Sequence, residues 1–397
     1  MEDATSRHFF HHGQDVGSMS LFINFPVYQK GNPHPRGVPY TKVFRGLIRA
    51  KSSKQGNKDE KENCHWCQLR SFPTHKTAPI TIVNEIDSQT LPQNFRFING
   101  VVLGTGVTAA HLSFRSGCTC GQDEDCQYSG CLCLADLDQD EASDDADDDH
   151  SGLDSATRAS LSPARKKAYA YHMHGNKAGL LRSKLHTSKL PLYECHQGCA
   201  CSPDCPNRVV ERGRTVPLQI FRTPDRGWGV RTQESIKKGQ FVDRYLGEVI
   251  TSAEADRRRD ASVVYHRKDV YLFALDKFTD PQSLDARLKG PPLEVDGEFM
   301  SGPTRFINHS CDPNMRIFAR VGDHADKHIH DLALFAIKDI QKGEELTFDY
   351  VDGASGDSEE LEGKIEDMTK CLCGSSKFKA KHHQLPTASW WLANVKW

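Results

Sequence analysis

No run of about eighteen apolar residues occurs in this chain of 397 residues, so no helical membrane span is expected. Residues Met1 to Gln14 are polar and rich in histidine. They lack the apolar core of a secretory signal, and a reducing compartment is the expected setting. Excess charge is lacking too. A formal net charge of −2 gives no whole-molecule basic field with which to hold nucleic acid. Apolar residues make up 37% and charged residues 26%, the balance of a globular protein with some solvated segments.

Cysteine is abundant instead. Fourteen cysteines in a chain with no secretory signal argue for metal ligands over a disulfide framework. Nine fall into two groups. Cys118, Cys120, Cys126, Cys131 and Cys133 follow CxC-x5-C-x4-CxC; Cys195, Cys199, Cys201 and Cys205 follow C-x3-CxC-x3-C. Two ordinary four-thiolate sites would leave one thiol spare. Three zinc ions use all nine if six thiolates bind one ion each and three bridge two. Either arrangement is structural and would hold loops with little apolar content of their own. Cys64 and Cys67 form an isolated CxxC pair, either half of a zinc site or two packed or exposed thiols.

Residues 1–60 read as a poorly ordered extension with a short apolar piece at Val43–Ile48. Residues 61–115 read as a segment that packs on another domain through Ile80–Val83 and Phe95–Ile98. The cysteine groups define a module over 116–213. An insertion over 134–160 interrupts it, with ten acidic residues between Asp136 and Asp154 and no Lys or Arg among them. The insertion is either a disordered spacer or a contact for basic partners such as histone tails. Residues 158–189 turn basic, as a helix beside the cluster or as a nuclear-import or phosphate-contacting patch.

From Thr215 the pattern changes to short strands: Pro217–Arg222, Trp228–Thr232, Phe241–Ile250, Val270–Leu275, Met315–Val321, Leu332–Ile337 and Glu345–Tyr350. One helix is expected at Ser252–Asp260, with Ser252 as its cap. The fold class is mostly β with few helices, in a domain over 214–351. A mobile acidic loop over 352–370 and an ending over 371–397 follow. Within the β region, Arg305–Asn314 stands apart: an apolar pair, Asn308-His309, a lone Cys311 and a turn. Alone it is a capped turn leaving a core strand, or a ligand site.

The nine cysteines, Arg226-Gly227-Trp228-Gly229, Arg305–Asn314, Glu345-Leu346-Thr347-Phe348-Asp349-Tyr350 and Cys371-Leu372-Cys373-Gly374 together resemble the SET-domain lysine methyltransferases. The similarity covers roughly residues 60–373. It is strongest to the histone H3 lysine-9 enzymes, and among these to the filamentous-fungal branch, through Tyr193–Cys199 and Asn207–Arg214. The resemblance implies small curved sheets with a C-terminal pseudoknot that lays Arg305–Asn314 against Glu345–Tyr350. It also implies a pre-SET zinc cluster built from the nine cysteines.

The implied reaction is methyl transfer from S-adenosylmethionine to a lysine amine of the histone H3 tail. By resemblance Arg226, Gly227, Trp228 and Gly229 wrap the methionine end of the cofactor. Asn308 and His309 bind the adenosine part, with Asp269, Tyr271 and Arg305 as neighbours. Tyr350 is the foremost catalytic candidate, and Tyr245 is a second hydroxyl at the lysine channel. Phe348, where a Tyr would restrict rotation of the amine, implies trimethylation. Asp276, on a strand edge over Phe273–Asp280 that would receive the histone tail, could pair with the Arg preceding the target lysine. The implied setting is the nucleus and the chromosome, in heterochromatin. The implied partners are nucleosomes and heterochromatin proteins, with no membrane and a monomeric chain.

One departure from the family pattern stands out. The post-SET zinc site should take Cys311, Cys371, Cys373 and a fourth cysteine, but Phe378 occupies that fourth position. His382 or His383 is a candidate replacement. The alternative function is therefore a catalytically weak, chromatin-binding zinc protein with a degenerate lid.

Overall fold

The computed structural model describes residues 64–87, 89–128, 130–137, 169–264, 271–350 and 373–374, and the strand backbone of 8–11, 14–18, 368–370 and 384–386. The expectations for Val43–Ile48, for the acidic insertion beyond Leu137 and for most of 1–60 and 352–397 lie outside these residues. Where the ends are described, His8–His11 (β1) pairs with Gln14–Ser18 (β2), and Met368–Lys370 (β18) with Gln384–Pro386 (β19), both antiparallel. No helix among the described residues is long and apolar enough to cross a membrane.

Three sheets build the body. In the first, β3 (Ile80–Val83) runs parallel to β7 (Leu218–Arg222), which turns back into β8 (Trp228–Thr232). The second has the order β11 (Leu272–Ala274), β12 (Glu294–Asp296), β10 (Glu248–Ile250) and β5 (Val102–Leu103). The third has the order β14 (Asn308–His309), β17 (Thr347–Phe348), β15 (Met315–Val321), β16 (Asp331–Ala336) and β9 (Phe241–Tyr245), with β6 (Leu192–Tyr193) also paired to β15. A strand pair of β4 (Arg96–Phe97) with β13 (Met300–Ser301) ties the N-terminal segment to the same body. The mostly-β expectation holds.

Three local details differ from expectation. The strand expected over Phe241–Ile250 breaks at Leu246-Gly247, where a side chain on Gly247 would overlap the Asp296 backbone. The helix runs Ser252–Val264, and its cap is Thr251, whose hydroxyl accepts the Glu254 N–H at 3.3 Å. The basic stretch forms no α-helix in its described part, 169–189. It makes only 3₁₀ turns at Gly175–Lys177 and Ser183–Leu185. Gly175 and Gly179 there adopt positive φ (64° and 77°), which a helix cannot continue through.

Alternation along β16 explains how two modules share one sheet. Leu332, Leu334 and Ala336 join the core of the strand-rich domain, with Ile220, Val230 and Tyr245. Ala333 and Phe335 join the other core, with the cysteine groups, Tyr171 and Phe318. Successive side chains of a strand leave opposite faces, so a strand that is apolar on both faces can lie between two cores.

A buried ionic network crosses the same boundary. Glu194, fully buried, accepts hydrogen bonds from the Tyr171 hydroxyl (2.6 Å), the Val210 N–H (2.8 Å) and Arg320 Nε (3.0 Å). Arg320 also pairs with Asp331 (2.9 Å) and Glu211 (2.8 Å). Burial works against the Arg320 charge, but Glu194, Asp331 and Glu211 outweigh it and raise its pKa above the ordinary value.

The Arg320→Ala variant should lose about 3–5 kcal/mol of stability in urea melts, because it strands buried carboxylates without their cation. A second expectation concerns pH. His330 packs edge-on against Phe278 with centroids 5.3 Å apart, and burial pushes its pKa from 6.5 down to about 4. The unfolded chain takes up this proton near 6.5 and the folded chain only near 4. Stability should therefore fall as pH drops through that window, by about 3 kcal/mol in total. Melts across the window should show a shallower slope for His330→Phe.

Candidate active site

The site is assembled by a parallel strand contact. Asn308 pairs with Thr347 and His309 with Phe348, and Phe348 pairs on its other side with Met315. Neighbouring parallel strands cannot be joined by a hairpin, so the chain must travel away and return. Asn314 fastens the return. Its amide nitrogen donates to the Glu345 carbonyl (2.8 Å), and its amide oxygen accepts the Thr347 N–H (2.8 Å). Arg305–Asn314 thus lies against Glu345–Tyr350, as the pseudoknot expectation required.

Tyr350 is held at both ends. Its N–H donates to His309 Nδ1 (3.1 Å), and its hydroxyl donates to the Ile307 carbonyl (2.6 Å). The Tyr245 hydroxyl donates to the Tyr271 carbonyl (3.0 Å). Each hydroxyl has one proton, so each can offer only lone pairs to a further partner. Burial raises the Tyr245 pKa well above its ordinary value, which keeps this phenol neutral. The rings between the two are apolar. Tyr245 lies 4.4 Å from Phe273, Phe273 lies 6.1 Å from Phe348, and Phe348 lies 4.7 Å from Tyr350.

The turn Arg226-Gly227-Trp228-Gly229 reaches the same place. Gly227 adopts φ 76°, a conformation that favours glycine. Arg226 Nη2 binds Glu345 Oε2 (2.7 Å), and Asn308 Nδ2 donates to Glu345 Oε1 (2.8 Å) and to the Trp228 carbonyl (3.3 Å). Arg305 lies deeper. Its Nε donates to the Gly297 carbonyl (3.0 Å), and its guanidinium stacks on Tyr271 at 4.0 Å and on Phe95 at 4.8 Å. Asp276 follows β11 and is part-exposed. Asp269 and Cys371 lie outside the described residues. Cys311 Sγ is 3.4 Å from His309 Nε2, and Cys373 is part-exposed.

The nine module cysteines fit a shared metal cluster. Their thiols form overlapping fours with all sulfurs within 4.8 Å: Cys118, Cys120, Cys126 and Cys131; Cys118, Cys131, Cys133 and Cys195; Cys118, Cys195, Cys199 and Cys201; Cys126, Cys195, Cys201 and Cys205. Cys118 and Cys195 each belong to three of these groups, the sharing that bridging thiolates need. Buried thiolates at this spacing are a donor set for zinc. Among the described residues Cys64 and Cys67 join no such group; Cys64 precedes the short helix His65–Arg70 and Cys67 lies in its first turn.

Sequence reasoning gave no role to Glu345 or His196. His196 lies with Cys133 and Cys199 in a further ligand group. Glu345 opens the motif Glu345–Tyr350, but its partners Arg226 and Asn308 are far from it in the chain.

A SET-domain family model matches residues 227–351, and a pre-SET motif model matches 73–208. The chain is 71% identical over 324 residues to an H3 lysine-9 specific histone-lysine N-methyltransferase of Fusarium mangiferae, covering 82% of this chain and 94% of that one. It is 62% identical over 338 residues to the H3 lysine-9 specific enzyme of Neurospora crassa, covering 85% and 98%. The solved structure of the Neurospora SET-domain protein DIM-5, a histone lysine methyltransferase, matches with a TM-score of 0.60 at 62% identity, over 75% of this chain and all of that one. With this parallel-strand site and a cysteine module ahead of it, the chain belongs to the SET-domain histone-lysine N-methyltransferases.

Proposed function

We propose that this enzyme methylates lysine-9 of the histone H3 tail, up to the trimethyl state, and acts on chromatin in the nucleus, in heterochromatin formation and gene silencing. The observation that carries the reading is the pair of tyrosine hydroxyls, Tyr245 and Tyr350, whose protons are both taken by backbone carbonyls. Two relatives named as H3 lysine-9 specific, at 71% and 62% identity, support the target.

S-adenosylmethionine, when bound, supplies the methyl group from its sulfonium. Asn308, His309 and the turn Arg226–Gly229 would hold it, with Asp269, Tyr271 and Arg305 completing the surroundings. A free lysine has a pKa of about 10.4 and is almost wholly charged at neutral pH. Phe273, Phe348 and the Tyr245 ring form an apolar wall, which disfavours the ammonium form. The lone pairs of Tyr245 and Tyr350 would accept N–H bonds from the amine and so aim its own lone pair. Such alignment alone is worth several kcal/mol of barrier. Phe348 places no hydroxyl beside the amine, so the amine can turn between successive transfers.

The tail would add as a strand to β11, the end strand of its sheet. Tyr271 accepts from Gly297 and Leu275 donates to Leu293, so the intervening register turns Leu272 and Ala274 outward, toward the added strand. Asp276 would pair with the Arg preceding the lysine. The nine cysteines would hold three structural zinc ions. A fourth would have only the thiolates of Cys311, Cys371 and Cys373, with His382 or His383 as replacement ligand. That shortfall favours a second reading, a catalytically weak chromatin-binding zinc protein.

Labelled S-adenosylmethionine and H3 tail peptides with lysine-4, lysine-9 or lysine-27 replaced in turn test the proposal. Incorporation should vanish only when lysine-9 is replaced. Incorporation that survives this replacement overturns the target, and peptide binding without incorporation selects the second reading. For Phe348→Tyr, mass spectra should shift from trimethyl toward mono- and dimethyl product; an unchanged product distribution overturns the role given to Phe348.

A further inference from the structure

Glu345 touches two of the groups assigned to the cofactor, and its two oxygens are divided between them. Oε1 accepts from Asn308 Nδ2 at 2.8 Å, and Oε2 accepts from Arg226 Nη2 at 2.7 Å. The second bond of Asn308 Nδ2 runs to the Trp228 carbonyl at 3.3 Å. A carboxylate and a backbone carbonyl are both obligate acceptors, so the orientation of the Asn308 amide is fixed by chemistry. Both amide hydrogens are engaged. Among the described residues Oδ1 accepts no hydrogen bond, so Asn308 can offer a ligand only an acceptor.

Arg226 is complementary. Its guanidinium contacts Glu345 through Nη2 and Asp225 through Nε at 3.6 Å. Nη1 has no partner among the described residues and remains a donor for an anion. Space for this arrangement is reserved. A Cβ on Gly229 would stand 2.9 Å from Glu345 Oε1 and 3.0 Å from Thr223, so the missing side chain at 229 leaves room for the carboxylate. The backbone is fixed as well: Leu346 N–H donates to the Val230 carbonyl at 2.8 Å, and Glu345 bridges to Arg231.

We infer that Glu345 is a positioning residue that sorts the two ends of a zwitterion, turning the Asn308 carbonyl toward an α-ammonium while it steadies Arg226 for the neighbouring carboxylate. This rests on the S-adenosylmethionine reading and revises one assignment within it: Asn308, which the family resemblance gives to the adenosine part, joins Arg226 at the amino-acid part, so Glu345 governs recognition of that part and leaves the adenosine part untouched. Gln in its place has a donor, so it no longer dictates which way the Asn308 amide turns. Asp keeps the charge but is too short to reach both partners.

Calorimetric titration separates these effects without turnover. The titrants are S-adenosylhomocysteine, its des-amino analogue, and 5′-methylthioadenosine, which lacks the amino-acid part. The full-length wild type should bind the des-amino analogue about tenfold or more weakly than S-adenosylhomocysteine, the scale of a lost charge-assisted hydrogen bond. Equal affinity overturns the orientation of Asn308 without any variant. In Glu345→Gln and Glu345→Asp, S-adenosylhomocysteine should weaken by about the same factor while methylthioadenosine is unchanged. Parallel losses of both ligands overturn the proposal and leave Glu345 a general support, and unchanged S-adenosylhomocysteine binding overturns it outright. A wild type that binds none of the three ligands removes the cofactor reading itself, an outcome distinct from failure of the variants alone.

Discussion

Everything functional here depends on two residues of β14 lying parallel to two residues of β17. That contact puts Asn308 beside Glu345, places His309 under the backbone of Tyr350, and brings the Ile307 carbonyl to the Tyr350 hydroxyl. A parallel pair this short contributes few hydrogen bonds of its own. It persists because Asn314 bonds two backbone groups along one edge of the returning strand, and because Met315, Ile307, Leu346 and Phe348 are buried in one core. Backbone geometry, more than side-chain strength, sets where the chemistry can occur.

The cysteine module supports that geometry from behind. β16 gives one face to each core, so the module and the strand-rich domain cannot shift independently without opening a closely packed strand. Arg320, Glu194 and Asp331 tie the same strands electrostatically, and Arg244, next to Tyr245, reaches Asp331 at 3.1 Å. Zinc in the module would therefore act on the site through packing and charge at a distance, with no part in the reaction.

Much of this was legible beforehand. Cysteine spacing announces ligands because thiols two apart on a loop have few other reasons to cluster, and the short strands follow from β-branched runs bounded by turns. What could not be read were facts about partners. The run Leu332–Ile337 is apolar throughout, and nothing in it says that alternate residues enter two different cores. Arg320, in Met315–Val321, is buried among three carboxylates contributed by other segments, a setting that nothing in its own strand announces. Glu345 is 119 residues from Arg226, and no local pattern predicts that bond. Thr251 caps the helix in place of Ser252, one residue on, and residue type alone does not separate the two. The basic stretch has the composition of a helix, but Gly175 and Gly179, both at positive φ, lie within it.

The parallel return strand also fixes when the enzyme comes into being during synthesis. The partner of Asn308-His309 is made some forty residues later, and the tyrosine that completes the site is residue 350. A nascent chain can gather its cysteines and form the sheets around β7 and β10 while this pocket still has no floor. Closure then waits for the intervening segment to order as the β15–β16 hairpin, which carries the chain back beside β14. Methyl-transfer competence is thus acquired late, once the segment through Tyr350 has joined β14.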